Sequence, residues 1–125
     1  MRLTPFGHCV QVTFFPDVFP VNCYLVQESD GLTLVDTGMS TSARPLQRAA
    51  ESLGLPIQRI VLTHAHGDHT GSVDILHQAW PAAEVMISAR DARLLRGDTR
   101  LDSAEPQTKI KGNIHTVRAT PTGFL

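Results

Sequence analysis

Ile57-Gln58-Arg59-Ile60-Val61-Leu62-Thr63-His64-Ala65-His66-Gly67-Asp68-His69-Thr70-Gly71 decides how the rest of this chain is read. Its first seven residues are a short, β-branched, apolar run of the kind that forms a buried strand. Residues 64–69 then hold three of the chain's six histidines and one aspartate. His64 and His66 flank a single small residue, so an extended or turning backbone can aim both rings the same way. Gly67 permits a sharp bend. Asp68 and His69 then emerge as a helix begins, aimed at a neighbouring point. Imidazole nitrogens and a carboxylate suit Zn²⁺, and also accommodate Mn²⁺ or Fe²⁺. Two ligand pairs facing adjacent points imply two metals roughly 3.5–4 Å apart, which lower the pKa of a shared water. A strand running into such a loop is also where open α/β sheets form sites.

Working outward, a helix is expected from about Ser72, with Val73, Leu76 and Trp80 on one face. Upstream, residues 32–36 read as a strand and 37–41 as a loop. A helix from Thr41 or Ser42 then carries Leu46, Ala49, Ala50 and Leu53 on one apolar face. Pro45 fits its first turn, and Gly54 followed by Pro56 ends it. Residues 8–15 and 22–28 read as earlier strands, and Ser29-Asp30-Gly31 as a hairpin turn. Downstream, 84–88 is a strand, and Ser88 with Asp91 caps a helix through Leu95 that stops at Gly97. Residues 97–112 read as a surface loop and 113–118 as the start of a further strand. Strands alternating with helices after residue 36 define an α/β layered fold. The helices at 42–53 and 72–80 should share one sheet face and bury Leu46, Leu53, Leu76 and Trp80.

The 125 residues are 42% hydrophobic and 18% charged, which fits one folded domain, 1–125, and argues against disorder. With 11 basic and 12 acidic residues the chain lacks the basic excess of a nucleic-acid or anionic-membrane binder. No apolar run reaches the roughly 18 residues of a membrane span, and the amino terminus does not read as a signal peptide. A cytoplasmic protein is expected, in which Cys9 and Cys23 are two buried thiols.

Thr63–Gly71 resembles the H-x-H-x-D-H signature of the metallo-β-lactamase-fold metallohydrolases. Leu34-Val35-Asp36-Thr37-Gly38 is similar to that family's strand-ending D-T-G, and Pro20–Val26 to its opening hairpin. Ser88–Leu95 and Glu105–Thr108 resemble a bacterial and archaeal subgroup of general hydrolases. The resemblance implies that His64 and His66 bind a first zinc, and Asp68 and His69 a second. It implies that Asp68 also handles a proton, and that Asp36 orients a ligand from the floor of the site. His8, His77 and His115 are expected to be structural or exposed. Family domains pack two αβ halves face to face, and the second half supplies further ligands in a G-H-T segment, a bridging Asp and a final His. Those segments have no counterpart here, so the chain is expected to be the amino-terminal half of the αββα sandwich. By ligand count, two protein donors per metal should bind more weakly than the usual three and make the chain alone a poor catalyst. The resemblance implies a zinc-dependent hydrolase of a small-molecule ester, thioester, lactam or phosphoester. The alternative is a non-catalytic metal-binding or interaction fragment. A homodimer or a complementing carboxy-terminal half is the expected partner. Thioester hydrolases of glutathione, persulfide dioxygenases with a single iron, and nucleases share the motif. The neutral charge balance disfavours nucleic-acid substrates.

Overall fold

Parallel strands need a crossover connection, and crossovers are right-handed. The chain makes three in succession. Strand β4 (Gly31–Val35) pairs in parallel with β5 (Ile57–Val61) through helix α1 (Ala43–Leu53). β5 pairs with β6 (Glu84–Ile87) through the short α2 (Gly67–Thr70) and α3 (Val73–Ala79). β6 pairs with β7 (Gly123–Phe124) through α4 (Ala89–Leu95) and the segment that follows it. Each strand is added on the far side of the last, so one hand of crossover puts α1, α3 and α4 on the same sheet face. On the other side of β4 lies an antiparallel meander of β1 (Arg2–Phe6), β2 (Cys9–Phe14) and β3 (Val21–Glu28). The seven strands therefore lie in sequence order in one sheet. This computed structural model describes residues 1–125.

Register decides which side chains meet the helices. Val12 stands opposite Cys23, Leu25 opposite Leu34, Leu34 opposite Ile60, and Ile60 opposite Val85. All are buried, and they form one cluster with Leu46, Ala49 and Ala50 of α1, Val73 and Leu76 of α3, and Ala92 and Leu95 of α4. The alternate row, Gln11, Tyr24, Val35, Val61 and Met86, runs across the other face. Those five residues are half-buried and no helix covers them. The fold is thus an α/β layer with helices on a single face, as the sequence leads one to expect. No helix is long and apolar enough to cross a membrane.

Several local expectations need correction. Leu46 and Leu76 are fully buried, but Leu53 is 36% exposed and Trp80 is half-buried. Both sit at helix ends. Leu53 borders a shallow groove with Leu3 and Pro5 of the edge strand, and Trp80 is the residue after α3. The first strand is β1, not the run beginning at His8. Pro5 and uniform exposure leave β1 no alternating signal to read. Residues 113–118 form no strand beyond an isolated bridge between Ile114 and His66. Their backbone groups are used elsewhere, Asn113 accepting from Gly67 N and Val117 N–H donating to Leu95 O. The helix expected from Ser72 is preceded by a separate helical turn, α2, which carries the motif. Cys23 is buried but Cys9 is half-exposed, and the register puts them on opposite sheet faces. Burial, with the Asp36 charge, pushes the Cys23 thiol up to about 12.

Ile60→Ala should cost about 2–5 kcal/mol, because the central strand leaves a cavity that cannot collapse. Leu53→Ala should cost under about 1 kcal/mol, since much of that side chain is already in water. Urea denaturation of the two variants checks the difference.

Candidate metal centre

β4 and β5 are parallel, so the loops after both leave the same edge of the sheet. The β4 loop is Asp36-Thr37-Gly38, and the β5 loop carries Thr63 and the histidine motif. Asp36 N–H donates to Val61 O at 2.8 Å, which continues the ladder one residue past β4. Asp36 then turns with φ 63°, a left-handed conformation that aspartate tolerates better than most residues. Gly38 follows with φ 63°. The turn is stitched to the motif. Thr37 N–H donates to His69 O at 2.7 Å, and Gly71 N–H donates to Gly38 O at 2.8 Å. A Cβ on Gly71 would lie 2.6 Å from the backbone of Met39 and Ser40, so this approach requires glycine.

Asp36 is 4% exposed, and its carboxylate is fully engaged. Oδ1 accepts from Thr63 N–H at 2.8 Å, while Oδ2 accepts from Thr63 Oγ1 at 2.7 Å and from His69 Nδ1 at 2.9 Å. These bonds fix where protons sit in the cluster. Thr63 has one hydroxyl proton and gives it to Asp36, so at 2.8 Å it can only accept from His64 Nδ1. His64 therefore keeps a lone pair on Nε2. His69, protonated on Nδ1, also keeps one on Nε2. His66 Nε2 donates to Lys111 O at 2.8 Å, which leaves the lone pair on Nδ1. In the neutral form each of the three imidazoles is thus held in a single tautomer with one nitrogen free, the arrangement metal-ligating histidines need.

The candidate ligands converge. Ligand atoms of His64, His66 and Asp68 all lie within 4.8 Å of one another, as do those of Asp36, His64 and His69. The rings of His64 and His69 are 4.2 Å apart, and those of His64 and His66 4.8 Å apart. Asp68 Oδ2 lies 3.7 Å from His69 Nε2. Four residues could therefore hold metal: His64, His66, Asp68 and His69. This nitrogen-rich set with one carboxylate fits zinc. Asp36 is near enough to be a fifth, but its three hydrogen bonds make it the group that aims His69 and sets the Thr63–His64 bond. Burial, then the charges of His69 and His66, lower the pKa of His64, against an opposing pull from Asp36 and Asp68.

A cavity of about 760 Å³ opens beside the cluster, lined by His66 and Asp68 together with Phe19, Met39, Asn113 and His115. His115 is exposed, as expected, and belongs to neither metal-ligand group, but it lies against Gly67, where a Cβ would strike its ring. His8 and His77 do not line the cavity. Asp91 is another residue whose part in the site went unread. Ser88 Oγ caps α4 by accepting from Asp91 N–H, one half of the expected capping box, while the Asp91 carboxylate accepts from Ala65 N–H at 3.2 Å in place of Ser88 N–H. Spacing carries no signal for these residues. Lys111 contributes a carbonyl that any residue could supply, and His115 reaches the motif only through tertiary contact.

A single sheet with imidazole nitrogens gathered beyond the ends of its parallel strands defines an α/β protein with a candidate metal-binding group. Comparison makes the class specific: the chain belongs to the metallo-beta-lactamase superfamily, whose profile matches residues 16–123. The uncharacterized protein YobT of Bacillus subtilis (strain 168) is 54% identical over 114 residues, 91% of this chain and 49% of YobT. The hydroxyacylglutathione hydrolase of Legionella pneumophila (strain Paris) is 44% identical over 54 residues, 43% of this chain and 20% of that protein. The metallo-beta-lactamase of Cronobacter sakazakii with a HARLDQ motif superposes with a TM-score of 0.73 at 23% identity. That match covers 99% of this chain and 47% of the lactamase, and it shows a common fold. The chain therefore spans about half the length of YobT and of this lactamase.

Asp36→Ala should weaken zinc binding about 10- to 100-fold, because His69 and the Thr63–His64 bond lose their anchor. Competition with a fluorescent zinc chelator measures this. A second outcome concerns pH. His64 has a folded pKa below its unfolded value of about 6.5, so the unfolded chain binds that proton more readily. Metal-free protein should lose stability as the pH falls from about 6.5 toward the folded value, and His64→Gln should remove that part of the loss. Denaturation curves in chelator above and below that pH test it.

Proposed function

We propose that this site is that of a zinc-dependent hydrolase acting on a small-molecule ester, thioester, lactam or phosphoester. His64 and His66 hold one ion, and Asp68 and His69 hold a second beside it. The observation that carries the reading is the proton arrangement. The two loops and the Lys111 carbonyl each engage one nitrogen of a motif histidine and leave the other free, close to the Asp68 carboxylate. Bound zinc supplies a polarising charge and a water acidic enough to ionise near neutral pH. The chain's own residues do the rest. Asp36 and Thr63 keep His64 and His69 in the tautomers that bind. The Lys111 carbonyl does the same for His66. A carboxylate oxygen of Asp68 faces the cavity and takes the proton released as water adds to the substrate, then returns it to the departing alcohol, thiol or amine. Membership of the superfamily and likeness to a hydroxyacylglutathione hydrolase support this chemistry.

The ligand count favours a second reading, a metal-binding module without turnover. Four donors give each of two ions only two protein ligands, whereas catalytic zinc usually has three. One experiment separates the readings. The purified chain is loaded with zinc, its metal content is measured, and it is assayed on activated esters, thioesters, lactams and phosphodiesters. Hydrolysis that falls about 100-fold or more in Asp68→Ala supports the enzyme. Zinc bound without turnover on any substrate supports the module. Unchanged zinc content in the His64→Ala/His66→Ala double variant would falsify the site itself.

A further inference from the structure

Residues 111–119 pass the metal centre as a strap, and the first half of the strap is fastened to the motif itself. His66 Nε2 donates to Lys111 O at 2.8 Å, and Gly67 N–H donates to Asn113 O at 2.7 Å. Ile114 forms an isolated antiparallel bridge with His66. Gly112 takes φ 89°, and a Cβ there would lie 2.6 Å from His66 Nε2, so this approach requires glycine. The second half is held independently of the motif. Val117 N–H donates to Leu95 O at 3.1 Å, and Asp74 accepts from the N–H groups of Arg118 and Ala119. Gly112, Asn113, His115, Thr116 and Val117 all line the cavity that contains His66 and Asp68. One imidazole therefore joins two structures. Its Nε2 holds the wall of the cavity, and its Nδ1 is the nitrogen left for metal. Lys109 and Lys111, the two lysines of the chain, are both exposed where the strap begins.

We propose that this strap is a cavity wall that zinc tightens: a metal ion on His66 Nδ1 strengthens the hold of Nε2 on Lys111 O, so filling the site also sets the wall. The inference rests on the metal-site part of the reading above and not on turnover. A free neutral imidazole carries its proton on either nitrogen, so with the strap undocked Nε2 is a donor only part of the time. Metal on Nδ1 confines the proton to Nε2 and draws charge from the ring, which makes that N–H a stronger donor. The coupling of two binding events is reciprocal. A docked strap therefore tightens zinc binding by the same factor by which zinc tightens the strap. The metal-free chain samples an open wall, and a substrate meets the complete cavity once zinc is in place. The effect is confined to the first half of the strap, because Asp74 and Leu95 hold the second half with or without metal.

A lysine-specific serine protease reads the strap directly. In Lys109→Arg it has one site, the bond between Lys111 and Gly112, whose carbonyl is the acceptor of the His66 bond. The protease needs that carbonyl in its own oxyanion hole, so it cuts when the strap has let go. The chain is loaded with zinc, excess ion is removed, and zinc content is measured on the sample that is cut. At about pH 8, above the usual histidine pKa, bound zinc should slow the cut about fivefold or more relative to the chain in chelator. Gly112→Ala drives the strap off His66, so its cut should be fast with or without zinc, and its zinc affinity should fall by about the same factor. Gly54→Ala is the control. Gly54 has φ 72° and a Cβ there meets nothing within 4 Å, so the variant carries a like backbone penalty away from the strap and should keep the zinc effect. Bound zinc that leaves the cut unchanged overturns the coupling while the metal site stands. Zinc protection that persists in Gly112→Ala also overturns it. So does a cut in chelator that accelerates with urea as steeply as global unfolding, since the protease would then read whole-chain opening. Absence of zinc from the loaded chain overturns the metal site and the coupling together.

Discussion

The Asp36 carboxylate accepts three hydrogen bonds from residues that follow β5 in the chain: Thr63 N–H, Thr63 Oγ1 and His69 Nδ1. A carboxylate that is 4% exposed is costly to bury unless its lone pairs are satisfied, and hydrogen bonds to a charged group contribute about 1.5–3 kcal/mol each. The turn after β4 and the loop after β5 are therefore not independent. Each supplies what the other needs, and the imidazole tautomers follow from that exchange. Thr63 passes the constraint on to His64, whose position the sequence alone ties only to its neighbours.

The parallel pairing of β4 with β5 makes this exchange geometrically available. Antiparallel strands would put the two loops at opposite ends of the sheet. Right-handed crossovers then place every helix on one face, which leaves the edge beyond the strand ends clear for the β2–β3 loop and the 111–119 segment to wall the cavity. That segment is held by Asp74, which accepts from the N–H groups of Arg118 and Ala119. It is also held by Gly67 N–H, which donates to Asn113 O at 2.7 Å. The wall of the site is thus a loop whose backbone is fastened to the same two helical turns that carry and follow the metal motif.

Much of this was legible in the amino-acid sequence. The run from Ile57 reads as a strand, which the structure forms over Ile57–Val61, the dense motif after it reads as a candidate metal site, and Gly54 and Ser88 read as helix boundaries. Each is a local signal, because strand formation, left-handed glycine caps and serine caps are set by a few adjacent residues. Exposed β1 gave no alternation to read. Leu53 shares the helical period of Leu46 yet lies past the covered part of the sheet, and periodicity does not report where a sheet ends. Residues 113–118 have strand-like composition, but their hydrogen-bonding groups are taken by backbone and side-chain groups of α2, α3 and α4.

The sequence by itself determined the types and spacing of the candidate metal ligands and the α/β alternation that sets them at a strand end. These depend on bonded neighbours and on periods of two and of 3.6 residues. Only the tertiary structure decided which ring nitrogen of each histidine is engaged, and that Asp36 meets His69 Nδ1. Only it placed His115, Phe19 and Met39 around the same cavity. Those outcomes depend on hydrogen bonds and contacts between segments separated by tens of residues, whose meeting is fixed by strand register and crossover hand.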